Sequence, residues 1–188
     1  MSEINLNDYN WDKKTHNSMD DVNFQIDYCC DARNSIKKWK DVNPNYGLYI
    51  IGDGVQKDML QNYIDENRIN NVHLIGYMKR HEMFNFYHLA DAFIFPSDED
   101  IYGHVINEAM SQGLPVISTP NVNASRKLIK NGVNGYIISS LENDELLAAV
   151  DGVIKNDLSA NAIKTAYENT IETMVQAHLE ILKRIMKK

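Results

Sequence analysis

Asp100 and Glu108 stand on either side of a Tyr-Gly-His run, with seven residues between them. An ionised carboxylate only accepts hydrogen bonds, and its two oxygens form a fork that both hydroxyls of a vicinal diol can donate into. Such charge-assisted bonds are worth about 1.5–3 kcal/mol each when shielded from water. Gly103, between the two acids, adds a second capability. Lacking a Cβ, it lets a ligand approach the backbone closely. The helix expected to begin there presents unpaired N–H groups and the positive end of its dipole to an anion. The imidazole of His104 can reach the same place. The residue types therefore suit a ligand that carries both hydroxyls and negative charge. Each acid also has a plainer use. Asp100, with Asp98 and Glu99 beside it, could cap the helix N-terminus, and Glu108 could be a surface glutamate without a partner. A metal centre is not expected, because His104 stands alone and the other five histidines lack zinc-type spacing.

These residues need a strand to deliver the loop and a helix to receive it. Ala92 to Phe95 is a short apolar run that Pro96 and Ser97 end, since proline cannot continue a ladder. Val105, Ile106, Ala109 and Met110 recur at helical spacing. Gly113 is the expected left-handed residue after the helix, and LPVIS resumes a strand. This strand–helix–strand layout places Asp100 to Glu108 at the carboxyl edge of a parallel sheet, where such folds bind ligands.

The same alternation runs through the chain. Val22, Phe24 and Ile26 suggest a short strand, and Cys29, Ala32, Ile36 and Trp39 a helix between Tyr28 and Asp41, stopped by Asn43-Pro44. Leu48 to Gly52 is an apolar strand and Gly52-Asp53-Gly54 its turn. Met59, Leu60, Tyr63 and Ile64 then line one helix face. Val72 to Gly76 is the next strand, with Met83, Phe84, Tyr87 and Leu89 marking the helix after it. A helix from about Ala124 to Lys130, a strand from Gly135 to Ile138 and a helix opened by Asn143-Asp144-Glu145 complete the series. Strands alternating with helices define an α/β, Rossmann-like, doubly wound parallel sheet. Gly52-Asp53-Gly54 is not the G-x-G-x-x-G of dinucleotide-binding domains. From Ser159 onward, Ile163, Tyr167, Ile171, Met174, Val175, Leu182, Ile185 and Met186 describe one long amphipathic helix, or two, expected to pack on the sheet. Membrane contact is at most peripheral, because only its last turn is basic.

A length of 188 residues accommodates one well-buried domain, expected over residues 21–188 with a helical tail from 155, preceded by a disordered arm over residues 1–20. The net charge of −7 excludes a nucleic-acid partner, which would require a basic footprint. The polar, acidic start MSEINLND does not read as a secretory signal, and no apolar run is long enough to span a bilayer. The adjacent Cys29 and Cys30 read as reduced thiols, which points to a cytoplasmic setting.

Asp100, the Tyr-Gly pair, Glu108 and the following EAMSQGLPVIST together resemble the signature of the family 4 glycosyltransferases. These are retaining, metal-independent enzymes of the two-domain GT-B fold. The similarity is strong from about Tyr46 to Val153. It implies that this chain is one half of a GT-B fold, the domain that binds the sugar donor, a UDP- or GDP-sugar, without a cofactor. By the same resemblance Glu108 would hold the ribose diol and Asp100 the donor sugar, both as members of the catalytic signature. Tyr102, Gly103 and His104 would give backbone N–H groups to the diphosphate and sugar. Gly52 and Gly54 match the family's turn, and Gly76, Tyr77 and Met78 the loop that reads the base.

There are departures. Most members carry Glu where this chain has Asp100, one methylene shorter, so Asp100 must sit closer to a sugar or act through water. The family's Arg and Lys-Gly near the start of the domain have no match in SMDDVNFQIDY, which ends at Tyr28, and Arg33, Lys37 and Lys38 fall on the next helix. The Gly-Gly and Glu found after the central strand are replaced by PNVNASRKLI, with Lys127 near the acid's place. The acceptor-binding domain has no counterpart here and is expected on another chain or outside this sequence. Two readings follow: a donor domain that transfers sugar once an acceptor domain completes the cleft, or a non-catalytic nucleotide-binding or interaction module. An epimerase-like or phosphorylase-like protein fits less well, because its central signature differs.

Overall fold

The apolar runs Tyr46–Ile51 and Ala92–Phe95 are buried almost throughout, as parallel strands covered by helices must be. In the computed structural model, which describes residues 22–27, 32–39, 42, 44–97, 100–139 and 144–186, the strands are β1 (Val22–Asp27), β2 (Tyr46–Ile51), β3 (Val72–Gly76), β4 (Ala92–Phe95), β5 (Val116–Ser118) and β6 (Gly135–Ile137). They lie in the order β3-β2-β1-β4-β5-β6, and every pair is parallel. The doubly wound α/β sheet expected from the sequence is therefore present. The order reverses direction between β1 and β4, which opens a crevice at the carboxyl ends of those strands.

The helices are α1 (Ala32–Trp39), α2 (Lys57–Glu66), α3 (Arg80–Leu89), α4 (His104–Ser111), α5 (Asn123–Leu128), α6 (Glu145–Lys155), α7 (Ser159–Glu168) and α8 (Ile171–Met186). One core joins α1, α2 and α6 to the sheet through Ile36, Trp39, Leu60, Ile64, Leu146 and Val150. The other packs α3, α4, α5 and α7 on the opposite face around Tyr87, Phe93, Ile106, Met110 and Leu128.

Local differences from the expected elements have local causes. In α2 the buried residues are Leu60 and Ile64, while Met59 lies on the outer side. In α3 the buried pair is Phe86 and Tyr87. Helix α5 stops at Leu128 rather than Lys130 because Asn134 takes over its end. The Asn134 Nδ2 donates to the Leu128 carbonyl at 2.9 Å, and its Oδ1 accepts from the Lys130 N–H at 2.7 Å. Gly113, at φ 85°, follows α4 in the left-handed conformation that its position predicted. The arm expected over residues 1–20, and the two cysteines, lie outside the described residues.

The tail differs most. It is two helices, and only α7 packs on the domain, burying Ala162 and Ala166 beside α4. Helix α8 buries none of its residues. Ile171, Met174, Val175, Leu179, Leu182, Ile185 and Met186 are all exposed on it, against the expectation that the whole tail covers the sheet. Spacing alone reveals that a face is apolar but not what covers it. A double change, Leu179→Glu with Leu182→Glu, is therefore expected to move the thermal midpoint of this chain by no more than about 2 °C, as for surface positions. A calorimetric or fluorescence melt checks this.

Candidate functional site

The loop after β4 is tied to the loop after β5 by hydrogen bonds that follow one another along both chains. The Ser118 Oγ donates to the Phe95 carbonyl at 2.7 Å and accepts from the Ser125 Oγ at 2.7 Å. The Thr119 Oγ1 donates to the Ser97 carbonyl. Further along, Asp100 and Val122 form a parallel bridge, the Asn123 Nδ2 donates to the Ile101 carbonyl at 2.6 Å, and the Ala124 N–H donates to the Tyr102 carbonyl at 2.7 Å. Small hydroxyl residues at the ends of β4 and β5 make this lacing possible without displacing the apolar strands.

Gly103 ends that loop as the N-terminal cap of α4, at φ 86°. An added Cβ would come within 2.4 Å of the Val122 Cγ1, so the position requires glycine for both its backbone and its space. The N–H groups of Gly103 and His104 meet no acceptor among the described residues. That of Tyr102 does: it donates to the Asp100 Oδ1 at 2.8 Å. This corrects two expectations. Tyr102 is not free to offer its backbone N–H to an anion, and Asp100 braces the loop rather than capping the helix. The His104 ring lies against that of Tyr102, with centroids 4.7 Å apart, and is exposed.

Glu108, in the second turn of α4, is half-buried, and its Oε1 accepts from the Arg80 Nη2 at 2.6 Å. The plainer alternative, a glutamate without a partner, is excluded. Arg80 opens α3 and its guanidinium stands 5.9 Å from the centroid of the Phe84 ring, one turn along. The two residues are 28 positions apart, and the α3–β4–α4 run of the fold brings them together.

The third wall is made by the turns after β2 and β3. The Gly52 N–H donates to the Gly76 carbonyl at 2.9 Å, which joins the two turns. Both glycines have positive φ. The Gly54 N–H donates to the Asp53 Oδ1 at 2.9 Å, so this turn braces itself much as the Asp100 loop does. After Gly76 the next two side chains part. Met78 is buried against Ile51 and Phe86, whereas Tyr77 is 72 % exposed at the rim. The two neighbours thus differ, the Met78 side chain lying in the core and the Tyr77 ring at the surface. The Lys57 Nζ lies close over Gly76, 2.9 Å from where a Cβ would be, and 4.0 Å from the Asp53 Oδ1.

Lys57 and Arg80 were not among the sequence-derived candidates. Both occupy the first position of a helix, where the dipole favours acids over bases. A base placed against that preference at the carboxyl edge of a parallel sheet was the available signal. Among the described residues no group of three His, Cys, Asp or Glu side chains is arranged to hold a metal ion, and no helix is long and apolar enough to cross a membrane.

The sheet order, the crevice at its reversal and the two-layer helix packing make this domain a Rossmann-like half of a GT-B fold. Solved structures share it: HepE from Anabaena, described in complex with UDP and glucose, superposes with a TM-score of 0.74 at 22% identity over 87% of this chain and 48% of its own. The GtfA/B complex superposes at 0.71 and 18% identity, over 90% of this chain and 37% of that one. In sequence, 131 residues are 28% identical to glycogen synthase of Mycobacterium tuberculosis, covering 69% of this chain and 31% of that enzyme. The family model for glycosyl transferases group 1 matches residues 27–169, and the chain belongs to that family. It spans about a third of that glycogen synthase, about half of HepE and 37% of the chain from the GtfA/B complex.

Proposed function

We propose that this chain is the donor-binding domain of a retaining glycosyltransferase, and that the crevice between β1 and β4 takes a nucleoside diphosphate sugar. The observation that carries the reading is the α4 N-terminus. Two backbone N–H groups that meet no acceptor among the described residues, at Gly103 and His104, stand beside a loop that Asp100 shapes and one turn before the carboxylate of Glu108. On this reading the diphosphate sits on those N–H groups, helped by the helix dipole. Glu108 receives the ribose diol, the exposed ring of Tyr77 flanks the base, and Gly76 and Met78 contact the base through their backbone. Asp100 faces the sugar with the oxygen lobe not taken by Tyr102. Gly52 and Gly54 keep the neighbouring turn low enough for the ligand to enter. No metal or other cofactor has a part.

Lys57 supplies cationic charge on the same edge, which bears on the absent Arg and Lys-Gly of the family signature. Electrostatic stabilisation of a leaving diphosphate is often the largest catalytic contribution. Transfer also requires an acceptor held in line with the donor. An acceptor-binding domain, whether on another chain or elsewhere in a longer one, supplies that half of the cleft, and the uncovered apolar face of α8 offers it contact area. The GtfA/B complex is a precedent for assembly among proteins of this fold.

Calorimetric titration with UDP, GDP and their sugars tests the reading. Binding of one nucleotide series supports it, and no binding by any of them removes it. The alternative, a non-catalytic nucleotide-binding module, is favoured by the lack of a basic residue between Ser18 and Tyr28. Sugar transfer on adding an acceptor-domain partner would eliminate that alternative.

A further inference from the structure

We infer that Arg80 is a positioning residue for ribose recognition: it fixes the carboxylate of Glu108 by one oxygen so that the other faces the diol. The inference rests on the donor reading above and concerns a residue outside the motif that suggested it. Three observations lead to it. The contact is a single short one, from the Arg80 Nη2 to the Glu108 Oε1 at 2.6 Å, which occupies one oxygen and leaves the fork's other arm. Arg80 is 72 % exposed in its side chain, so as a stabilising ion pair it contributes little. It also opens α3, where the helix dipole disfavours a cation. The pair's effect is therefore on orientation. A glutamate side chain has three rotatable bonds, and immobilising it costs conformational entropy when a ligand must do so. With Arg80 in place, that cost is met before the ligand arrives, which is preorganisation of a binding group. The guanidinium is itself steadied by Phe84, whose ring centroid lies 5.9 Å away.

A competing role, in which Arg80 blocks the carboxylate until a ligand displaces it, predicts the opposite sign. The two are separated by comparing a ribonucleotide with its analogue lacking both hydroxyls. Calorimetric dissociation constants would be measured for UDP and 2′,3′-dideoxy-UDP, or the guanosine pair if GDP is the nucleotide bound, on the native chain, Arg80→Ala and Arg80→Lys. The native chain is expected to prefer the ribonucleotide by about tenfold or more, since the diol bonds are charge-assisted. Arg80→Ala is expected to reduce that preference about five- to tenfold with little change for the dideoxy analogue, and Arg80→Lys to restore part of it. A structural role alone would shift both ligands together. An unchanged preference in Arg80→Ala, or tighter ribonucleotide binding, overturns the inference and leaves the donor reading intact. Failure of the native chain to bind either nucleotide overturns the donor reading and this inference with it.

Discussion

Glu108→Ala is expected to weaken nucleoside diphosphate binding by about tenfold to more than a hundredfold, while the chain stays folded. The magnitude follows from the loss of charge-assisted hydrogen bonds to the ribose, about 1.5–3 kcal/mol. The fold is spared because Glu108 is only half-buried and its charged partner, Arg80, is mostly exposed. An exposed ion pair contributes at most about 1 kcal/mol to stability. The effect should thus appear in titration and hardly at all in a thermal melt. Glu108→Gln separates charge from shape. Its amide keeps one acceptor oxygen and replaces the other with a donor, so it should fall between the native chain and the alanine variant. A Glu108→Ala chain that binds UDP or GDP as tightly as the native one would remove this residue from the site.

Gly103→Ala is expected to act on stability and binding together. Its φ of 86° lies in the left-handed region, which costs an L-residue about 1–2 kcal/mol. In addition the new Cβ would stand 2.4 Å from the Val122 Cγ1, and relieving such overpacking costs about 1–3 kcal/mol more. Relief must come from moving the loop that carries Asp100 or the one that carries Val122, and the two are bonded to each other. The Gly103 and His104 N–H groups at the head of α4 then shift, so nucleotide affinity should fall as well. Val122→Ala offers an internal check. Added to Gly103→Ala it removes the clash but not the backbone strain, and the double variant should be less destabilised than the sum of the two single changes. Additive losses in denaturant titrations would show that the contact with Val122 is not the cause.

Much of the fold was legible because β2, β4 and β5 are buried on both faces. Runs such as Leu48 to Ile51 and Ala92 to Phe95 are then apolar throughout, and the helices between them carry an apolar stripe at period 3.6. The region from Ala92 to Ser118 was read nearly residue for residue, since Pro96, Gly103 and Gly113 each mark a boundary for a steric reason. Where the sequence misled, the deciding contact was distant. Asn134 ends α5 by reaching back to Leu128, and nothing local to Lys130 announces it. The amphipathic pattern of α8 is the same whether its partner is the sheet beneath or a surface elsewhere. In the site, glycines and acids stood out because their types are informative at fixed spacing. Arg80 did not, because its meaning depends on a carboxylate 28 residues away, and Lys57 depends likewise on its approach to Gly76. The use of the Tyr102 N–H by Asp100 was hidden for a different reason, since an aspartate that braces a loop and one that meets a ligand occur in the same sequence context.

The lacing between the loops after β4 and β5 has a kinetic meaning. Because Ser118, Thr119, Asn123 and Ala124 each hold the opposite loop, the segment carrying Asp100 and Gly103 cannot open without opening the start of α5 as well. The two loops form a single cooperative unit whose local unfolding is infrequent. The opposite rim, with the exposed Val55 and Tyr77 and the long side chain of Lys57, has no comparable set of cross-links among the described residues. Among the described residues, the side of the crevice built from these two loops is thus the more tightly cross-linked one, and the rim at Val55, Lys57 and Tyr77 the looser one.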